Sequence, residues 1–293
     1  MASEKAPSAE GGSANRSEIV RVDSGQALHA LTKAITQKYI LDSKKTPAVR
    51  VVYRGGGIKT LCAKTADIAE ASLSPTDAEL MLCKENGVSL LSVSVAFDAL
   101  VIAVNNRNPA SSITLDALRT MWSDESYGKV SRWDQVDPGY VARPLKLYGP
   151  DSDAPVSDSF SFALFEKNGR LRGDVTVSGD DELLTKAIGR DVNAVGYVGY
   201  SQYSLHSDRI KALAVVTEQG LPIVPTPENI RNGAYRPLGR TLKLYINNRA
   251  ISRPEVIDYL EFYLMNAPDL AKDLKYVALD DLEYRKALGF LKK

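Results

Sequence analysis

The sequence predicts an α/β protein folded as two lobes with a cleft between them, and three observations carry that reading. Short apolar, β-branched runs alternate with stretches of helical period, the pattern of parallel βαβ units rather than of a sandwich. The chain has 293 residues, and single hydrophobic cores stop growing near ~250–300 residues. Two β-rich runs, 98–106 and 240–247, are placed to carry the chain from one lobe into a second and back. The first lobe is then discontinuous, 18–103 plus 241–293, and the second is 104–240. Two crossings of this kind make a hinge, with a ligand cleft between the lobes.

The elements follow in chain order. Residues 1–17, MASEKAPSAEGGSANRS, are small and polar and read as a flexible lead, since they cannot bury enough surface to offset their ordering entropy. IVRVD (19–23) is a short strand, and LHALTKAITQKYI (28–40) a helix. PAVRVVYRGGG (47–57) is a second buried strand, after which IKTLCAKTADIAEAS starts as a helix. SVSVAFDALVIAVNNRNP (92–109) is a long β-rich run ending in turn residues. ITLDALRTMWSD (113–124) is a helix with Thr114 as its cap and Asp116 in the first turn. PLKLYGP (144–150) is a strand, and SDSFSFALFEKNG (157–169) a helix closed by Gly169. DELLTKAIGRD (181–191) is another helix, AVGYVGYSQY (194–203) a strand and turn, and RPLGRTLKLYINN (236–248) a strand. In the helix-rich end, Pro254 suits a first helical position, and Val256, Leu260, Tyr263 and Leu264 recur at helical spacing.

Composition excludes several functions. With 37 basic against 36 acidic side chains, net charge +1, there is no polybasic field to hold nucleic acid or an anionic membrane. A Cys/His zinc site takes about four such ligands, so it would need both cysteines and both histidines of this chain at once. His29 and His206 have no ligand-like spacing and read as surface or packed residues, so neither metal nor cofactor is expected. No run approaches the ~20 apolar residues of a membrane-spanning helix. There is no GxSxG elbow, and Asp180–Asp181 and Asp280–Asp281 look like helix-start charges. The chain is therefore not expected to be an enzyme. Trp122 and Trp133 are expected to anchor the second lobe's core, and Tyr197, Tyr200 and Tyr203 to pack the lobe more than to touch ligand.

Six segments in register resemble the phosphate-binding proteins of bacterial Pst-type ABC importers. They are ITLDALRTMWS followed by WDQVDP (133–138), PLKLYGPDSD (144–153), AVGYVGYSQY (194–203), PLGRTLKLYINN (237–248) and PEVIDYLEFYL (254–264). The resemblance runs from about residue 19 to the C-terminus. It implies a type II periplasmic-binding-protein fold and a captured ligand handed to a membrane transporter permease. It also implies a periplasmic or cell-surface home, with a signal sequence already removed. On that reading Cys62 and Cys83, which in a cytosolic protein would be two buried thiols, form a disulfide.

In that family three loops at helix N-termini hold the anion, where backbone N–H groups and the helix dipole favour negative charge. All three differ here. Ser24-Gly25-Gln26 stands where the family resembles Gly-Ser-Ser-Thr. Ser72 is followed by Leu73 rather than by Arg or Asp. Asp153-Ala154-Pro155-Val156 stands where Ser-Gly-Thr precedes Asp-x-Phe, here Asp158-Ser159-Phe160. Leu73 offers no fork of donors, Ala154 and Val156 no hydroxyl, and Pro155 no N–H. Each missing bond to a charged group is worth ~1.5–3 kcal/mol, against the ~8 kcal/mol of a micromolar affinity. The expected ligand is therefore a small molecule less charged and more apolar than phosphate, lipid-like in kind. Gly56 and Gly57, in the turn that the resemblance points at the cleft, and Tyr148 complete the candidate ligand set. Arg54, Lys59 or Tyr148 could restore the missing donors, so phosphate or a related oxyanion stays as the alternative, and a sensor or scaffold on the same fold as a second.

Overall fold

The computed structural model describes residues 19–25, 27–42, 49–53, 56–166, 169–217 and 219–291. The predicted lead 1–17, Gln26, Arg54 and Gly55 lie outside them. The chain runs β1 (Val20–Ser24), α1 (His29–Asp42), β2 (Val49–Tyr53), α2 (Ile58–Cys62), β3 (Ile68–Ala71), α3 (Asp77–Glu85) and the long β4 (Leu90–Asn105). Then come β5 (Ser112–Thr114), α4 (Leu115–Trp122), β6 (Lys146–Gly149), α5 (Pro155–Phe165), β7 (Thr176–Val177), α6 (Asp181–Arg190), β8 (Ala194–Gly199) and α7 (Tyr200–Leu205). β9 (Ile210–Ala212), β10 (Ala214–Val216), β11 (Pro222–Ile223), α8 (Pro227–Arg231), β12 (Gly239–Asn247), α9 (Pro254–Asp273) and α10 (Asp281–Leu291) complete it.

The main sheet is ordered β2-β1-β3-β12-β4-β8-β6-β7, with β9 also on β4, and a small sheet runs β11-β10-β5. β1 lies parallel between β2 and β3, and β6 is parallel to β7 and β8, as βαβ units require. β12 is antiparallel to both β3 and β4, since it brings the chain back from the second half along the strand that left. β4 is the key element: up to Ala99, opposite Gly239, it pairs with β12, and from Leu100, opposite Gly199, it pairs with β8. One 16-residue strand thus belongs to both halves of the curled sheet.

Each half has its own core. In the first, Val22, Ile68, Val95 and Leu244 from the sheet pack with Leu31 and Ile35 of α1 and Tyr259 and Tyr263 of α9. Their buried hydroxyls are satisfied between helices, Thr32 with Tyr263 at 2.8 Å and Thr36 with Tyr259 at 2.7 Å. In the second, Trp122 meets Phe160 edge-on, and Phe160 stacks on Tyr197 with ring centres 3.8 Å apart. Trp122 and Trp133 both sit in this core, and so does Tyr197.

Local expectations hold where capping chemistry dictates them. Thr114 accepts the Ala117 amide and opens α4, and Pro254 is the first residue of α9. Two need correction. The helix begun at Ile58 stops at Cys62: Lys64 takes a positive φ of 59°, and residues 68–71 become the inner strand β3. There Ile68 and Ala69 are sealed between β1 and β12, a burial that outweighs their helical neighbours' propensity. The helix predicted over 157–169 is α5, 155–165, which Glu166 ends at φ 58°; Gly169 packs on Phe165, where any Cβ would overlap. Cys62 and Cys83 are bonded, tying α2 to α3.

Candidate functional site

The two halves meet where β3 ends and α5 begins. Ser72 follows β3 directly, and its Oγ lies 3.3 Å from the Oγ of Ser159 in the second turn of α5. α5 is fixed from behind: Phe160 and Leu164 are buried, and the Ser157 hydroxyl donates to the Asp151 carbonyl at 2.8 Å and meets the Tyr197 hydroxyl at 2.9 Å. Among the described residues no side chain caps the α5 N-terminus, although Asp158 already places a carboxylate in its first turn and Pro155 offers no N–H.

Beneath the first-half loop lies a buried polar layer. Glu70, on β3, is fully buried and accepts from the Ser24 hydroxyl at 3.0 Å and the Gly25 amide at 2.9 Å. Burial pushes its carboxyl up to about 8, and the Asp23 charge adds to the rise; hydrogen bonds from Thr32, Ser24 and Gly25 oppose it. At neutral pH Glu70 is thus predominantly protonated. Ser24 also meets His29 Nδ1 at 3.1 Å, and burial, aided by Lys33, pushes the imidazole below its ordinary value. Gly56 keeps the next turn close: a Cβ there would stand 2.9 Å from Asp23 Oδ2.

At the crossings, Asp98 of β4 faces Arg240 of β12, their Oδ2 and Nη2 2.6 Å apart and both nearly buried. The other Asp98 oxygen accepts the Tyr200 amide of α7 at 3.1 Å, so one carboxylate ties both crossing strands to the second half. Asp181, at the start of α6, has its carboxyl raised by burial and by the charges of Asp180 and Asp98. Tyr53, at the end of β2, is raised by burial and by Asp181 and Glu70.

The sequence-predicted residues are placed as follows. Ser24, Gly25, Gly56 and Gly57 cluster on the first half around Glu70 and Asp23, and a Cβ added at Gly25 or Gly57 would meet the Glu70 carbonyl oxygen at 3.6 or 3.8 Å. Ser72 meets the second half, and Leu73 beside it is 37% exposed. Ala154 and Val156 turn their side chains toward the second core, so any contact they make with a ligand runs through their backbone; Asp153 is exposed. Pro155 is the first residue of α5. Tyr148 lies on β6 and packs on the cluster of Leu184 and Ile188. Sequence reasoning missed Ser159, although it sits as the variable residue of the quoted Asp158-Ser159-Phe160. It also missed Glu70, Asp98 and Arg240; only the sheet register brings the last two together. Among the described residues no group of three or more His, Cys, Asp or Glu side chains is arranged to hold a metal.

Two α/β halves, two crossing strands and polar loops meeting between them define a two-lobed solute-binding protein of the type II periplasmic class. The sequence matches a PBP superfamily domain over residues 8–267. It is 33% identical over 270 residues to Protein SphX of Synechococcus elongatus, covering 92% of this chain and 80% of that one. It is 25% identical over 270 residues to the phosphate-binding protein PstS of Staphylococcus saprophyticus, covering 90% and 82%. A possible phosphate binding protein from Planctomyces limnophilus superposes with a TM-score of 0.77 at 27% identity, over 94% of this chain and 97% of that one. An ABC-type phosphate transport receptor from Vibrio cholerae shares the fold, with a TM-score of 0.72 at 20% identity over 89% and 100%. The chain belongs to the PBP superfamily and, within it, to the Pst-type phosphate-binding protein family.

Proposed function

We propose that this substrate-binding protein captures an oxyanion of the phosphate class between Ser72 and Ser159 and delivers it to a membrane permease from outside the cytoplasm, without catalysis. The 3.3 Å approach of those two hydroxyls, one from each half at loops matching the family's second and third anion loops, carries the reading. The uncapped N-terminus of α5 adds a favourable field for negative charge. Two of the acidic groups nearby oppose an anion less than a free carboxylate would: Arg240 pairs with Asp98, and burial raises the Glu70 carboxyl to about 8. The names of the relatives point the same way. No helix among the described residues is long and apolar enough to cross a membrane. For this function we draw the lobe boundaries where β4 changes partners, at 99–100, and at the start of β12.

A second reading, a less charged and more apolar ligand, keeps one specific support. The donors of the first loop are already engaged, since Ser24 and Gly25 both donate to Glu70, and Leu73 stands where a charged side chain is expected. The comparisons lend it nothing. Isothermal titration separates the two: micromolar phosphate binding, weakened in Ser159→Ala, supports the oxyanion. The absence of phosphate heat, with an apolar metabolite extracted from the purified protein and identified by mass spectrometry, supports the alternative.

A further inference from the structure

At the far end of the second half from the cleft lies an open groove of about 420 Å³, within the ~300–1,000 Å³ typical of small-molecule clefts. It sits where β4 ends at Asn105, seven residues beyond Asp98, or about 23 Å at ~3.3 Å per residue. Three separate segments build it: 105–107, the last turns of α6, and 208–209. They are cross-linked by their own hydrogen bonds. Asn105 Nδ2 donates to the Gly189 carbonyl, and Asn106 Nδ2 to the Asp208 carbonyl at 2.8 Å. Arg107, Lys186, Arg190 and Arg209 line this frame, with Asp208 as the one acidic residue of the lining.

The cations are not used up by neighbouring carboxylates. Lys186 pairs with Glu182 at 2.6 Å and Arg209 with Asp208 at 3.4 Å, while Arg107 and Arg190 form no ion pair among the described residues. Compensation of the helix dipole accounts for a cation in the last turn of α6, and so for Arg190. It does not account for Arg107 or Arg209, which come from other segments. In a chain of net charge +1, four cations around one groove are a local concentration rather than a reflection of composition.

We propose that this groove is a second anion site, separate from the cleft, that takes a soluble polyanion with at least two phosphate groups. Two guanidinium forks match phosphate oxygens bidentately, and their separation onto different segments suits two linked phosphates better than one. The proposal does not depend on what the cleft binds.

Inorganic pyrophosphate is the probe, titrated calorimetrically into the full chain at low salt and again at ~150 mM, where surface charges are screened beyond ~8 Å. Expected is saturable binding that weakens with salt and falls at least about tenfold in Arg107→Gln/Arg190→Gln, with the response to orthophosphate in the cleft unchanged. Both side chains are exposed and hold no hydrogen bond or ion pair among the described residues, so the melting temperature should not move; Arg107→Glu alone gives an independent reversal of charge. A parallel arm measures co-sedimentation with phosphatidylglycerol vesicles against phosphatidylcholine vesicles. The proposal is overturned by no saturable pyrophosphate heat at low salt, by binding that survives the double variant, or by vesicle binding without pyrophosphate binding.

Discussion

Glu70→Gln tests the buried layer under the first loop. The carboxyl lies at about 8 in the fold against an ordinary 4.5, a difference of about 3.5 pH units, and each unit is worth ~1.36 kcal/mol, so the full effect is ~5 kcal/mol. Because the folded state holds its proton more tightly than the unfolded chain, this stability is fully present below about 4.5 and is lost as pH rises to about 8. Opening of the loop to hydrate the carboxylate would cap the loss, which brings the expected span to ~2–5 kcal/mol. Gln keeps an oxygen for the Ser24 hydroxyl and the Gly25 amide and cannot ionise. Urea unfolding of both proteins between pH 5 and pH 9 reads the difference, and subtraction removes groups common to both. His29, held below its ordinary value, pulls the opposite way at acid pH in each protein and cancels. The wild type should lose ground steadily to the variant up to about pH 8 and then hold level. A difference flat across that window, or one in which the wild type gains with pH, refutes the reasoning.

Other outcomes follow from single contacts. Asp98→Ala strands Arg240 in a nearly buried position and severs the amide link to α7; removing one partner of a buried pair costs ~3–5 kcal/mol, read by denaturant midpoint. Replacing Cys62 and Cys83 together by Ser removes a cross-link between residues 21 apart, and urea titration should find ~3 kcal/mol less stability without reductant and no difference from the reduced wild type. In Gly149→Ala the new methyl would lie 2.8 Å from the Tyr197 ring, in the stacked core behind α5, so thermal melting should report ~1–3 kcal/mol of overpacking. Ser159→Ala and Ser72→Ala should each weaken oxyanion binding by ~1.5–3 kcal/mol, or roughly 10- to 150-fold, with the melting temperature of the ligand-free protein little changed.

Much of the fold was legible because its signals are local. Thr114 and Pro254 announce helix starts through chemistry confined to one turn, and the alternation of β-branched runs with helical spacing fixes the fold class. The errors fall where a non-local partner decides. Residues 68–71 look helical beside their neighbours, yet β1 and β12 capture them as an inner strand. The antiparallel return of β12 depends on its pairing with β4 across more than a hundred residues, which no window of sequence contains. The site divides in the same way. Ser72 and the 154–156 loop were readable as motif positions, whereas Ser159 becomes notable only once α5 is set against the end of β3.

The altered first loop then acquires a physical reason. In the family an anion would draw on donors at the end of the first strand; here β3 places Glu70 directly beneath that loop, and the carboxyl takes both the Ser24 hydroxyl and the Gly25 amide. A buried acid pays a desolvation cost that donors offset, and here the loop's Ser24 hydroxyl and Gly25 amide are spent inward on one Glu70 oxygen. The same acid, mostly protonated at neutral pH, does not add a full negative charge to the site. On the proposed function, capture of an anion leans on the second half, on Ser159 and the start of α5, with Ser72 closing from the first. That asymmetry has a measurable consequence: Ser159→Ala should cost more affinity than Ser24→Ala, whose hydroxyl serves Glu70 rather than the ligand. Equal losses at the two positions in the same calorimetric titration would mean that the first loop turns its donors outward when ligand binds.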